Sequence, residues 1–218
     1  MEGTRQMART LYLMRHAETL FNVQRKIQGW CDSPLTSRGA DQAKAAGRLF
    51  VERDLSFDHA YCSTAERCSD TLEIATREAF GAPLPYERLK GLRECGFGQF
   101  EGKDECLNPP APYGDFFVPY GGESDEQVSE RMLATLTELM ERPGHERVLA
   151  VSHAGSCLHF FMDCSTHDDV HVSVLCNCMV YKYEYDAGAF TAKELLIPDL
   201  EPLEKPDLPA QIRRINLG

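Results

Sequence analysis

An arginine and a histidine stand side by side at Arg15-His16, after the apolar run Leu11-Tyr12-Leu13-Met14 and ahead of Ala17-Glu18-Thr19 and Asn22. A strand ending this way sets a fixed cation beside a titratable imidazole at a sheet edge, where α/β sheets bind their ligands. The planar fork of a guanidinium suits a phosphate, and a neutral imidazole can attack phosphorus. Taken alone, the pair also fits a solvated strand end. Four further segments weigh on that alternative. Arg67 follows Ser63-Thr64-Ala65-Glu66, in which Ser63 and Glu66 have capping-box spacing. That places the guanidinium in the first turn of a helix, where it adds to the positive end of the dipole. Glu94 lies in Leu92-Arg93-Glu94-Cys95-Gly96, ahead of a glycine-rich turn, and by itself reads as a surface carboxylate. His153 follows the apolar run 148–152 and leads into Ala154-Gly155, and Gln28-Gly29-Trp30 comes just past Asn22.

These side chains need a scaffold, and strand-like and helix-like segments alternate along the chain, which predicts an α/β fold. A first strand is expected over 9–14. Ala40, Ala43, Gly47 and Phe50 at helical spacing predict a helix over 36–53, and an extended piece follows at 57–62. The helix capped by Ser63 carries Cys68, Leu72, Ala75 and Ala79 on one face and ends before Gly81-Ala82-Pro83. A second capping box, Ser124 with Gln127, opens a helix bearing Val128, Met132, Leu136 and Leu139, which Pro143-Gly144 stops. A buried strand over 148–152, a helix starting over 155–161 and a closing hairpin of 179–185 with 190–196 complete the pattern. The Pro- and Gly-rich stretch 102–122 is long enough to be a functional loop or lid.

Composition bounds the rest. A chain of 218 residues with 43% hydrophobic and 26% charged residues is expected to form a single soluble domain, 1–218, with its core at about 9–197. From Pro198 onward the tail is irregular; it packs over the surface or reaches a neighbour, as in a homodimer. The formal charge of -11 argues against nucleic acid or an anionic membrane surface as partner, so an anionic substrate needs a locally built positive pocket. No apolar run approaches the ~20 residues that cross a bilayer, and the polar segment 1–9 gives no sign of a signal peptide. Nine cysteines without framework spacing read as reduced thiols of a cytoplasmic protein, mostly acting as small buried hydrophobes.

With these segments in order, the chain resembles the histidine phosphatase superfamily, which includes cofactor-dependent phosphoglycerate mutase and many small acid phosphatases. The likeness rests on Arg15-His16-Ala17-Glu18-Thr19 with Asn22, on Ser63-Thr64-Ala65-Glu66-Arg67, and on Leu92-Arg93-Glu94 followed by Phe100-Glu101-Gly102. Tyr120-Gly121-Gly122-Glu123-Ser124 and Val151-Ser152-His153-Ala154-Gly155 complete it, from about Thr10 to Leu196. It implies a three-layer α/β/α sandwich around a mostly parallel sheet, phosphoglycerate mutase-like. It also implies a phosphomonoester hydrolase acting on a small phosphorylated substrate, with no metal or other cofactor. His16 would be the nucleophile that becomes a phosphohistidine, and Arg15, Arg67 and His153 would surround the non-bridging oxygens. Glu94 would act as the general acid and base, with Asn22, Gln28, Gly29 and Ala154 at the rim. Ala17 stands where the family more often has glycine. The region after Glu94 lacks the long insertion with paired arginines found in the mutases, which favours the phosphatase branch. Phosphoglycerate mutase-type transfer is the alternative. A silent phospho-ligand-binding module is a third, against which the intact set of His16, Arg67, Glu94 and His153 counts.

Other chemistry-bearing residues compete. His167-Asp168-Asp169-Val170-His171 has the His-x-x-x-His spacing of a zinc site, but it needs a regular helix and reads as a loop entering a strand. Cys176-Asn177-Cys178 suggests a metal or redox pair; on a strand, one intervening residue sends both thiols to one face, which fits ordinary packing. His59, His145 and His159 read as structural or solvent-facing. Trp30, Phe97, Phe100 and Tyr120 are candidates for the pocket walls, closed over by the 102–122 loop.

Overall fold

A computed structural model describes residues 9–167, 170–173 and 175–200. Its centre is strand β1, Arg9–Arg15, hydrogen-bonded along both edges. Parallel to it on one side runs β4, Arg147–Ser152, then β2, His59–Ser63, then β3, Tyr86–Leu89. On the other side lie β5, Val180–Asp186, and β6, Ala189–Leu196, both antiparallel to their neighbours. The six-stranded sheet therefore has the order β3-β2-β4-β1-β5-β6, with a parallel part and an antiparallel hairpin at one edge. The expected mostly parallel sheet is present.

Side chains of a strand alternate between faces, and both faces of β1 are apolar. Leu11 and Leu13 enter one core and Tyr12 and Met14 the other. The second core is covered by α2, Ser37–Glu52, and α3, Glu66–Phe80, through Ala43, Ala46, Phe50, Cys68, Leu72 and Ala75. The first is covered by α4, Asp125–Glu141, and α5, Ala154–Cys164, through Val128, Met132, Leu136, Phe160 and Phe161. The result is the three-layer sandwich. Ser124 and Gln127 form the expected capping box at the start of α4. None of the nine cysteines is joined in a disulfide, and Cys62, Cys68, Cys95, Cys157, Cys176 and Cys178 are buried.

Several local expectations are corrected. Ser63 does not cap α3: the capping position is Ala65, without a side-chain bond, and the Ser63 hydroxyl belongs to the site instead. The short helix α1, Leu20–Gln24, and strand β3 were not foreseen; α1 is opened by a capping box of Thr19 and Asn22. Cys176 and Cys178 precede β5 in a turn and bury in opposite cores, so they are not a same-face pair. His167 lies beyond the end of α5, so the helix that a zinc-binding His-x-x-x-His needs stops at Cys164. It stacks on Phe161 with ring centroids 4.5 Å apart. Asp168 and Asp169 lie outside the described residues, as does the tail from 201. Among the described residues no helix is long and apolar enough to cross a membrane.

Candidate active site

The C-terminal ends of β1 and β4 lie side by side, with Arg15 in register with Ser152. The next residue on each strand is a histidine. His16 and His153 are buried, with ring centroids 5.3 Å apart in an edge-to-face arrangement. The His16 amide donates to the Ser152 carbonyl at 3.0 Å, and its own carbonyl accepts from the Asn177 side chain at 3.0 Å. The ring is oriented by one bond: Nδ1–H donates to the Ala17 carbonyl at 2.7 Å. That fixes the tautomer and leaves the Nε2 lone pair without a proton. Burial, then the charges of Arg67 and Arg15, hold this imidazole well below the ordinary histidine range, so it stays neutral.

His153 differs. Its Nδ1 accepts from Arg67 Nη2 at 2.9 Å and from Nε at 3.2 Å, while Nε2–H donates to Ser63 Oγ at 2.8 Å. Both nitrogens are engaged. Burial, then Arg67, pushes its pKa down as well.

Arg67 is wholly buried. Such a charge is tolerable only when its donors are matched. Nη1 donates to the Cys31 carbonyl at 2.9 Å and to Asp32 Oδ1 at 2.8 Å, and Nη2 donates to the Gly29 carbonyl at 2.8 Å. The loop that presents those acceptors is held by Glu101, which receives the amides of Gly29, Trp30, Cys31 and Phe97. A Cβ at Gly29 would stand 2.3 Å from the Cys95 carbonyl oxygen, so no side chain fits there.

Glu94 is buried against the start of α5. Its Oε2 accepts the Gly155 amide at 2.9 Å, and its Oε1 accepts the Ser156 amide at 2.8 Å and the Cys95 amide at 2.9 Å. A helix N-terminus is a natural seat for a carboxylate. A Cβ on residue 155 would meet Glu94 Oε1 at 2.8 Å, which explains the glycine. Arg131 ties the Glu94 backbone down, donating from Nη2 to its carbonyl at 3.2 Å while pairing with Glu123 at 2.8 Å.

Arg15, His16, Glu94 and Ala154 line one end of a cavity of about 500 Å³, together with Asn22 and Gln28. Arg15 Nη1 donates to the Leu175 carbonyl at 2.9 Å, and its Nε is buried without a partner among the described residues. Arg67 and His153 lie behind His16 and do not line this cavity, which differs from the expectation that both surround the substrate's oxygens. Gly29 is also off the wall, because Glu101 holds its amide and Arg67 its carbonyl. The Asn22 side-chain oxygen is spent on the Thr19 amide. Gln28 is braced between Thr19 Oγ1 at 2.7 Å and Ser33 Oγ at 3.1 Å. Of the expected aromatic walls only Phe97 faces the cavity. Trp30 is half exposed, with its indole N–H on the Glu94 carbonyl, and Phe100 and Tyr120 pack with Phe116. The segment 102–122 contributes a wall through Glu105, Asn108, Ala111, Pro112 and Tyr113. His159, read from sequence as structural or solvent-facing, faces the cavity too. Among the described residues no group of three metal-binding side chains is gathered.

Sequence reasoning missed Asp32, Glu101, Arg131 and Ser63 as supports. Glu101 lay inside a quoted motif without a role, Ser63 was assigned to a helix cap, and Asp32 and Arg131 carried no local signal.

Comparisons with known proteins agree with this geometry. The profile of the histidine phosphatase superfamily (branch 1) matches residues 11–197. A relative from Salmonella choleraesuis (strain SC-B67), named "Probable phosphoglycerate mutase GpmB", is 30% identical over 213 residues, covering 92% of this chain and 96% of the relative. The crystal structure of phosphoglycerate mutase from Bacillus anthracis str. Sterne superposes with a TM-score of 0.73 at 25% identity, over 86% of this chain and 92% of that one. The alpha-ribazole phosphatase from Shigella flexneri superposes with a TM-score of 0.67 at 25% identity, over 85% of this chain and 95% of that one. Sequence, fold and the paired histidines at adjacent strand ends converge on one conclusion: this chain is a member of the histidine phosphatase superfamily and an enzyme of that kind.

Proposed function

We infer that the protein hydrolyses phosphomonoesters through a phosphohistidine on His16. The observation that carries this reading is the orientation of the His16 ring: Nδ1–H is committed to the Ala17 carbonyl, so a neutral Nε2 faces the cavity end shared with Arg15 and Glu94. In the first step the Nε2 lone pair forms the N–P bond as the ester P–O bond breaks. Glu94 acts as the general acid, handing the departing alkoxide the proton that it recovers from water in the second step. In the second, water attacks the phosphohistidine, Glu94 takes its proton, and the N–P bond breaks to release inorganic phosphate. Arg15, whose Nε lacks a partner among the described residues, meets the non-bridging oxygens. Arg67 supplies a second positive charge from behind His16, where it also keeps that ring neutral. With the charge provided by two arginines, no metal is needed.

Transfer to a second hydroxyl, as in a mutase, needs a cation to hold the acid group of a phosphoglycerate. The other cationic candidates on the cavity wall are already matched: Lys26 with Asp104 at 2.7 Å, and His159 with Asp125 at 3.4 Å and Asp163 at 3.3 Å. That supports hydrolysis. A panel of phosphate esters incubated with EDTA tests the reading. The expected result is phosphate release that survives chelation, is blocked by vanadate, and exceeds any conversion of 3-phosphoglycerate primed with a bisphosphoglycerate. Turnover abolished by EDTA and restored by zinc overturns it, as does primed mutase turnover faster than hydrolysis.

A further inference from the structure

The cavity continues well beyond the phosphate end. Helix α5 forms one side, starting at Ala154 beside Glu94 and running outward. At 1.5 Å per residue, His159 and Asp163 stand about 7.5 and about 13.5 Å along it. Between the two ends the wall is apolar, made by Ile27, Phe97, Tyr113, Leu158, Met162 and Leu175. A cavity of about 500 Å³ is of the size that holds a ring-bearing ligand rather than a triose.

The outer part is rich in acceptors. Asp125, Asp163 and Glu105 bring carboxylates from α4, α5 and the 102–122 segment. Asn108, on the same wall, has a buried Oδ1 with no hydrogen-bond partner among the described residues. Lys26 pairs with Asp104, His159 lies between Asp125 and Asp163, and Glu105 is 3.9 Å from Arg25, so these carboxylates are partly matched, and the acceptor left unmet there among the described residues is Asn108 Oδ1. An unmatched buried acceptor costs free energy until a donor meets it.

We propose that the substrate is a phosphomonoester of an alcohol with an apolar, ring-sized body that ends in a cationic or hydrogen-bond-donating group, and not in a carboxylate or second phosphate. The phosphate end of this assignment rests on the hydrolase reading above; the outer end rests on Glu105, Asn108, Asp125 and Asp163.

Three matched phosphonates read the cavity without chemistry: 4-(aminomethyl)benzyl, 4-methylbenzyl and 4-carboxybenzyl phosphonate, with Kd measured by calorimetry at neutral pH. The ammonium ligand should bind about tenfold more tightly than the carboxylate ligand, with the methyl ligand between them. In Glu105→Gln/Asp163→Asn, checked for folding by its thermal midpoint, the ratio should fall to within about threefold. Raising the salt from 0.05 to 0.5 M should narrow the wild-type ratio too, a second measurement that needs no variant. Equal affinities, tighter binding of the carboxylate, a ratio indifferent to both variant and salt, or no binding by any of the three overturns the proposal. The matched benzyl phosphate esters separate the two readings. Ordered binding without phosphate release sinks the hydrolase reading and leaves this one standing. Hydrolysis without the charge order does the reverse.

Discussion

His16 and His153 occupy equivalent places at the ends of neighbouring parallel strands, and both are buried and held neutral. Their hydrogen bonds separate them. His16 spends Nδ1 on a carbonyl and keeps Nε2 for the cavity, whereas His153 accepts from Arg67 on one nitrogen and donates to Ser63 with the other. In the proposed reaction the chemistry belongs to the ring with an unspent lone pair, and the other ring, which bridges Arg67 to β2, acts as a positioning residue. Burial alone would have made the two look alike; the bonding partners distinguish them.

The largest expected effect comes from breaking that distinction at its active end. His16→Ala should lose at least about 10³-fold in turnover, as loss of a nucleophile does, and should take up no acid-labile, alkali-stable phosphate label. His153→Gln should still be labelled, more slowly. Label retained in the His16 variant and lost in the His153 variant would reverse the two roles. Next in size is Glu94→Gln, since general acid catalysis contributes about 10²–10⁴-fold. The full loss should appear with an alkyl phosphate. It should be smaller for the phosphoenzyme burst with p-nitrophenyl phosphate, whose leaving group departs without a proton. Equal losses would remove Glu94 as the donor and leave the ring of His16 without its partner acid.

Removing the hydroxyl that His153 donates to sharpens the comparison further. Ser63→Ala should lower kcat by roughly the fivefold that one hydrogen bond of about 1 kcal/mol can carry, with little change in KM. A change of that size in KM alone would place Ser63 in substrate binding instead. The smallest effect is on stability. Both site histidines have folded pKa values below 6.5, so the unfolded chain takes up their protons first as the pH falls. The stability they contribute is present above about 6.5 and is lost as the pH drops below it, by up to about 1.4 kcal/mol per pH unit for each. His159 acts in the opposite sense. Asp125 and Asp163 outweigh burial and raise its pKa, so its contribution is full at acid pH and is lost as the pH rises through its folded value. Thermal midpoints from pH 7 to 5 should fall, and less steeply in His153→Gln; identical slopes would mean that this ring is not held neutral by the fold.

Local patterns carried much of this into view from sequence. The apolar run before Arg15-His16 announced β1, the Ser124 box announced α4, and the histidine at each strand end followed from a strand stopping where polar residues begin. What stayed hidden depends on contacts distant in sequence. Asp32 and Arg67 are paired only because the 29–33 loop folds over α3, and Glu101 reaches back to Gly29 past α2, β2, α3 and β3. Ser63 misled because the same Ser-x-x-Glu spacing serves a cap at Ser124 but at Ser63 gives way to His153, a partner 90 residues away. The short strand β3 has half-exposed, mixed side chains and no alternation to read. Phe100 and Tyr120 are aromatic, as pocket walls often are, yet they pack on each other and hold the 102–122 segment to the turn at Gly98–Phe100.

The double pairing of β1 has a consequence for time scales. Its amides and carbonyls are bonded on both sides, and Leu11, Leu13 and Met14 exclude solvent altogether. Such a strand exchanges its amide hydrogens only when the whole protein unfolds. The wall built by 105–113 has only a short 3₁₀ turn of its own, and its amides are expected to exchange well before those of β1. The proposed reaction centre and the wall proposed to select its substrate thus rest on parts of unequal permanence, and substitutions in the wall should change affinity while leaving the register of β1 as it is.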